Sequence, residues 1–327
     1  MGKILLLGDI YSNAGPSNVN RVLVENADDS LMYVKKQSKV LKILELCVKA
    51  LRANVIVVSG VASLKVQKII NVLNSRAKIM YLMHGNLRYE DKINHLKAPL
   101  SLIEAENRLM EMAAAIVCVS EKYAEWVSDR YPQFNNKIQY VNNGLDLLPR
   151  EKKTKRPLTI AVGGGNRCIK NNIEVCKAIE RLRNKGLQCE LYIFGRNYPD
   201  NDDFSAFHFV KFMGQMSLGE YYEKLDEISL FVVASEVESF GLAVGDALNC
   251  RCSLLLSQNV GAVSIMETYE CDLISDPHNV DLLADKIEYL LYHPNADRIL
   301  QSVDVEACSA KQSYLRLKRI CEEVEKQ

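Results

Sequence analysis

Two stretches of this 327-residue chain alternate short apolar runs with amphipathic ones, and a charged joint flanked by prolines separates them. Such alternation favours parallel strands, because a strand followed by a helix returns to the same sheet through a crossover that covers one face. In the first stretch, strand patterns at Lys3–Leu7, Asn54–Val58, Lys78–Met83, Ala115–Val119 and Lys137–Val141 alternate with helical patterns. The helical ones are Lys39–Leu51, Val66–Leu73, Leu102–Met112 and Glu121–Arg130. The joint runs from Leu148 to Pro157. After it come strand patterns at Leu158–Val162, Gln188–Phe194, His208–Phe212, Leu230–Val233, Ser253–Leu256 and Asp272–Ser275. Helices are expected at Asn172–Asn184, Leu218–Leu225, Leu242–Cys250, Val280–Tyr292 and Glu306–Glu325. The expected class is α/β, with doubly wound domains over residues 1–150 and 151–305. Residues 306–327 then form a closing helix that packs back toward the first domain.

Composition excludes several classes. Hydrophobic residues make up 48% and charged residues 25%, as in a water-exposed enzyme with a sizeable core. No run reaches the roughly 18 apolar residues of a membrane-spanning helix. Met1-Gly2-Lys3 leads into a four-residue apolar run soon followed by Asp9, which does not read as a signal peptide. Ten cysteines lack a spaced framework. Cys47, Cys118, Cys189 and Cys271 sit in apolar runs, and Cys250-x-Cys252 has no second pair to complete a zinc site. A reducing cytoplasm is the expected location. The net charge is zero but uneven: 20 Lys and Arg face 14 Asp and Glu in residues 1–150, against 21 and 27 in the rest. A basic half implies an anionic partner or plain solvation.

Glycine and polar residues gather just after the strand patterns, where ligands bind in open parallel sheets. Gly8 to Gly15, Ser59-Gly60, His84-Gly85, Ser120-Glu121 and Asn143-Gly144 do so in the first half. Gly163-Gly164-Gly165, Gly195, Gly214 and the run from Ser235 to Gly241 do so in the second. In Ala234-Ser235-Glu236-Val237-Glu238-Ser239-Phe240-Gly241-Leu242-Ala243-Val244-Gly245-Asp246, a buried strand ends, acids follow, and a helix opens near Ser239. Its first-turn N–H groups attract phosphate, and Gly241 allows close approach. A solvated helix start capped by Ser239 is the plainer alternative. In Gly163-Gly164-Gly165-Asn166-Arg167-Cys168-Ile169-Lys170, a glycine turn carries two bases that can bracket a diphosphate. Solvated bases on a tight turn are the alternative there. His95, His208, His278, His293 and Trp126 read as structural.

Together these motifs resemble the retaining GT-B glycosyltransferases of family four, the group 1 glycosyl transferases. Glu238 and Asp246 match the two acids of the family's E-x7-E signature, with Asp in the second place. Arg167 and Lys170 match its paired bases, at shorter spacing. Further matches run in family order. They are Ser12-Asn13-Ala14-Gly15-Pro16-Ser17-Asn18, His84, Val117-Cys118-Val119-Ser120, Tyr140-Val141-Asn142-Asn143-Gly144-Leu145-Asp146, Leu191-Tyr192-Ile193-Phe194-Gly195 and Val210-Lys211-Phe212-Met213-Gly214.

The resemblance implies two Rossmann-like domains facing each other across a cleft that holds a nucleotide-sugar donor, expected to be UDP-linked. It assigns His84, Arg167, Lys170 and Glu238 to catalysis. It assigns Gly15, Asn143, Gly165, Gly195, Met213, Ser239, Phe240, Gly241, Leu242 and Asp246 to the donor. Glu238 would face the sugar and Asp246 the ribose. It further implies retention, no metal or other cofactor, and a glycan or lipid-linked hydroxyl acceptor, as in polysaccharide biosynthesis. No nucleic-acid partner is expected. A GT-B sugar-nucleotide epimerase and a non-catalytic GT-B partner subunit are the rival readings. The lysines at 35, 36, 39, 42 and 49 gather around the helix Lys39–Leu51 and imply contact with an anionic inner membrane face.

Overall fold

The computed structural model describes residues 2–12, 14–36, 38–95 and 97–327, with Lys39 by its backbone alone. Met1, Asn13 of the N-terminal loop motif and the Lys39 side chain therefore lie outside the described residues. The chain forms two compact units. The first comprises Met1–Asp91, Lys97–Leu145 and Glu306–Gln327, and the second Lys92–Leu96 and Asp146–Val305.

The strands of the first unit are β1 (Ile4–Leu7), β2 (Leu31–Tyr33), β3 (Val55–Ser59), β4 (Lys78–Met83), β5 (Ala115–Cys118) and β6 (Ile138–Tyr140). They pair in the order β2-β1-β3-β4-β5-β6, every pair parallel. The helices α1 (Gly15–Glu25), α2 (Lys39–Ala50), α3 (Leu64–Leu73), α4 (Leu87–Asn94), α5 (Leu100–Met112) and α6 (Glu121–Arg130) lie between them in sequence. The β-branched and leucine-rich strand residues are buried on both faces, as parallel sheets require, with Leu5, Ile56, Val57, Met80, Tyr81, Ile116 and Val117 at or below 2% exposure.

In the second unit, β7 (Thr159–Val162), β8 (Glu190–Phe194), β9 (Val210–Gly214), β10 (Leu230–Val233), β11 (Ser253–Ser257) and β12 (Leu273–Ile274) form another all-parallel sheet. Its order is β12-β11-β10-β7-β8-β9. The helices are α7 (Asn172–Asn184), α8 (Leu218–Glu227), α9 (Leu242–Asn249), α10 (Val280–Tyr292) and α11 (Ala296–Ser302). Counted within the unit, this order is the 3-2-1-4-5-6 of dinucleotide-binding folds, with its switch point between β7 and β10. The core joins sheet residues Ile160, Leu191 and Leu230 to Val175, Ile179 and Leu182 of α7 and Leu283 and Ile287 of α10.

The structure adds elements that the patterns do not show. Gly15, placed in a loop by its motif, opens α1, with Pro16 in the first turn where a missing N–H costs nothing. The three-residue strand β2 is too short to carry an alternation, whereas β6 and β12 fall within the strands expected at Lys137–Val141 and Asp272–Ser275. The closing helix, α12 (Ala310–Glu325), starts four residues later than its expected bound, after an N-cap at Ser309. It belongs to the first unit. There Tyr314 Oη donates to Asp28 Oδ1 at 2.8 Å, and Lys318 pairs with the same carboxylate.

The start of α12 rests on Gly144. A Cβ at Gly144 would lie 2.4 Å from the Ala310 Cα, and the next residue, Leu145, donates its N–H to the Cys308 carbonyl at 2.8 Å. Gly144→Ala should therefore destabilise the chain by about 1–3 kcal/mol, the cost of overpacking against backbone. A thermal melt would show a lower midpoint than wild type; an unchanged midpoint would contradict the packing.

Candidate functional site

The parallel pairing of β7 with β10 aligns Val162 with Val232, so the loops leaving these two strands start side by side. The first is the triple-glycine turn and the second is the acidic run. Between them lies a cavity of about 170 Å³, lined among others by Gly164, Arg167, Lys170, Glu238, Gly241 and Leu242.

The glycine turn is held open by its own backbone needs. Gly164 and Gly165 have φ of 87° and 66°, which favour glycine. A Cβ at Gly164 would meet the Lys170 side chain at 2.7 Å, so the bare glycine lets that lysine lie across the turn. A Cβ at Gly165 would sit 1.9 Å from the Arg196 carbonyl, and one at Gly195 2.5 Å from the Gly165 nitrogen. These two glycines thus let the ends of β7 and β8 meet backbone to backbone. Asn172 fixes the turn from below: its Nδ2 donates to the carbonyls of Gly163 at 3.1 Å and Gly165 at 2.7 Å.

Arg167 stands at the N-cap of a short 3-10 turn, and its Nε donates to the Gly164 carbonyl at 3.4 Å. Lys170 Nζ contacts Glu238 Oε2 directly. The two side chains are 12% and 19% exposed, so this ion pair faces the cavity with little water around it. Glu238 is itself held by backbone: its N–H donates to the Asn259 carbonyl at 3.1 Å and its carbonyl accepts from Gly261 N at 2.9 Å.

Helix α9 begins at Leu242, not at Ser239, and its N-cap is Gly241 with φ 92°. The capping reading of Ser239 therefore falls, because a left-handed residue intervenes that a β-carbon would strain. Phe240 is 1% exposed and packs into the core, leaving only its backbone for a ligand. Ser235 also lines the cavity. Its hydroxyl is buried and has no hydrogen-bond partner among the described residues. Nothing in the sequence marks it apart from the flanking acids; its orphan hydroxyl is a tertiary fact.

Asp246, one turn into α9, does not line the cavity. Its Oδ1 accepts from Tyr222 Oη of α8 at 2.7 Å, and burial raises its pKa above the usual aspartate value. Tyr222 is a further residue that the sequence reading passes over. Met213 and Ser239 are also absent from the lining.

His84, Gly15 and Asn143 belong to the first unit. His84 follows β4. Its Nε2 lies 2.7 Å from Ser59 Oγ, Ser59 donates to Asn20 Oδ1 at 2.6 Å, and Asn20 Nδ2 donates to the Asp9 carbonyl at 2.9 Å. A hydroxyl has one proton, and Asn20 takes it, so Ser59 accepts from His84. Nε2 therefore carries a proton, and in the neutral ring Nδ1 is an acceptor. Burial lowers its pKa from 6.5 to about 4. Gly8 makes room for the chain, since a Cβ there would come 2.5 Å from Asn20 Nδ2. Gly15 opens α1, and Asn143 donates its N–H to the Val119 carbonyl at 3.1 Å.

With this geometry in view, comparison with known proteins assigns the class. Residues 149–302 match the family described as glycosyl transferases group 1. The chain as a whole has the GT-B fold of two Rossmann-like domains. HepE from Anabaena, solved with UDP and glucose, superposes with a TM-score of 0.70 at 13% identity, over 99% of this chain and 100% of that one. Sucrose-phosphate synthase from Thermosynechococcus elongatus gives 0.69 at 15% identity, over 99% of both chains. The pneumococcal O-GlcNAc transferase GtfA, solved with UDP and GlcNAc, gives 0.60 at 13% identity, over 83% of this chain and 56% of that one. A comparison with curated protein sequences gives no match.

The His84 chain yields a measurement. Nitrogen-15 NMR should show His84 protonated on Nε2 and not titrating between about pH 5 and 8, since its value lies near 4. The unfolded imidazole takes its proton near 6.5, so stability should fall as pH drops from there toward 4. Ser59→Ala should release the tautomer preference. A His84 signal titrating near 6.5 would overturn the assignment.

Proposed function

We propose that this chain transfers a sugar from a UDP-linked donor to a hydroxyl acceptor, with retention of anomeric configuration and without a metal. The observation that carries this reading is the convergence of Arg167, Lys170, Glu238 and the start of α9 on one cavity at the switch point of a group 1 domain. A nucleoside diphosphate leaving group gains negative charge as its bond to C1 of the sugar breaks. Two fixed cations and a helix N-terminus supply the matching positive potential. Structural relatives solved with UDP, UDP and glucose, or UDP-glucose support a UDP-linked donor.

In the proposed reaction the C1–oxygen bond to the diphosphate breaks and a C1–oxygen bond to the acceptor forms on the same face. The acceptor's proton passes to the departing phosphate, so the protein needs no nucleophile of its own. Glu238 meets the sugar hydroxyls, the orphan Ser235 hydroxyl donates to a phosphate oxygen, and Asp246 accepts from the ribose while Tyr222 holds its other side. On the family pattern, His84 accepts from a sugar hydroxyl through Nδ1. The acceptor is a glycan or lipid-linked hydroxyl in the building of a surface polysaccharide or related glycan, at the cytoplasmic face of a membrane.

Two predictions follow from the assigned roles. Arg167→Ala and Lys170→Ala should each lower turnover by about a hundredfold, as loss of one preorganised charge does elsewhere. The melting temperature should stay close to wild type in Arg167→Ala and fall in Lys170→Ala, which leaves Glu238 unpaired. Steady-state UDP release in the presence of acceptor measures this, and near-normal turnover in both variants removes the diphosphate assignment. Glu238→Gln should impair turnover while keeping UDP affinity, and Asp246→Asn should weaken UDP binding by about tenfold, the loss expected for one charged hydrogen bond. Calorimetric titration of UDP separates the two; the opposite pattern would mean the acids are exchanged.

A further inference from the structure

Helix α2 turns its most apolar side away from its own domain. At about 100° per residue, Val40, Leu41, Leu44, Val48 and the C-cap residue Leu51 form one stripe. Their exposures are 68%, 50%, 58%, 50% and 59%. The residues that α2 buries, Leu46 and Ala50, lie almost opposite that stripe. A surface helix of a water-soluble domain has the reverse arrangement. Helix α3 packs beside α2. Its outward side carries Lys65, Lys68, Ile69 and Val72, the last at 84% exposure.

The charge around this apolar face has one sign. Residues 35–76 contain nine Lys or Arg and a single acid, Glu45. That acid is consumed internally: Lys49 Nζ donates to Oε1 at 2.6 Å, and the backbone N–H groups of Lys35 and Lys36 donate to Oε2 at 3.0 and 2.8 Å. Lys49, expected to flank the apolar stripe, is thus drawn to Glu45 and to the Tyr33 carbonyl. The exposed bases are instead Lys35, Lys36, Lys42 and Arg52 near α2, with Lys65, Lys68 and Arg76 near α3.

We propose that the α2–α3 face docks on a lipid bilayer bearing anionic headgroups. The α2 stripe enters the boundary between headgroups and acyl chains, and the surrounding lysines and arginines meet lipid phosphates. A strongly basic helix with a broad apolar face lies in such an interface. No helix among the described residues is long and apolar enough to cross a membrane, so the contact is peripheral. A second copy of this chain fits the face poorly, because a two-fold interface would set the same unneutralised bases against themselves. The proposal sharpens the membrane location included in the functional reading and rests on it for its purpose, but its test involves neither donor nor acceptor.

The full chain is sedimented with vesicles of phosphatidylcholine alone and with vesicles containing one part in three of phosphatidylglycerol. Binding to the anionic vesicles should exceed that to the neutral ones by about tenfold and fall as salt is raised. The joint change Val40→Ser, Leu44→Ser and Val48→Ser should abolish binding, as should Lys42→Glu, Lys65→Glu and Lys68→Glu together. All six positions are on the outside, and a circular-dichroism melt confirms that each variant is folded. Leu44→Trp should show a blue-shifted emission component with anionic vesicles that the parent chain, with its single Trp126, lacks. Equal binding to both vesicle types, binding to neither, or a dimer in solution that the serine variant dissolves would each overturn the proposal. Loss of UDP binding by the wild-type chain would instead count against the donor reading alone.

Discussion

The parallel pairing of β7 with β10 is the contact on which the candidate site depends. These strands are far apart in sequence, and the strand order reverses between them, the place where a crevice opens at the strand ends of such sheets. The glycine turn and the acidic run are brought together there. Neither loop alone makes a site. The turn supplies Arg167 and Lys170, the run supplies Glu238 and the start of α9, and only adjacency puts cations, acid and helix terminus around the same cavity.

Close backbone approach is the second constraint. Gly164, Gly165, Gly195 and Gly241 all have positive φ, and three of them face neighbours that a β-carbon would strike below 3 Å. Asn172 converts the turn from a loop into a fixed object by bonding two of its carbonyls. This rigidity matters electrostatically. Charges that are already in place when a diphosphate departs need no reorganisation, whereas two lysine-like side chains on a mobile loop would have to be gathered first. The same logic applies in the first unit, where Asp9, Asn20 and Ser59 fix which nitrogen of His84 carries the proton.

The two sides of the first unit are built for different surroundings. Around His84 the polar groups are threaded into a chain of hydrogen bonds, and Glu106 accepts from Tyr81 Oη at 3.1 Å and from the Leu87 N–H at 3.0 Å. On α2 the pattern is inverted: charge pairing is turned inward and apolar side chains are turned outward. The hydrophobic periodicity of Lys39–Leu51 reveals a two-sided helix, but periodicity does not say which side meets the sheet. Leu46 and Ala50 are buried, and the larger apolar stripe is not.

The sequence by itself determined the class of fold and the strands long enough to show an apolar run. It also determined which loops carry glycine, base and acid, because these depend on local composition and on periods of 2 and 3.6 residues. Short elements such as β2 and α4 escaped it, since three to eight residues hold too few periods to stand out. The tertiary structure alone decided that Gly241 rather than Ser239 caps α9, that Ser235 is left without a partner, and that Tyr222 grips Asp246. It alone turned the α2 stripe outward as well. Each of these facts is set by contacts or exposure that the local sequence does not encode. A residue's chemistry can be read from its neighbours along the chain, but its unmet hydrogen bonds and its exposure are fixed by neighbours across space.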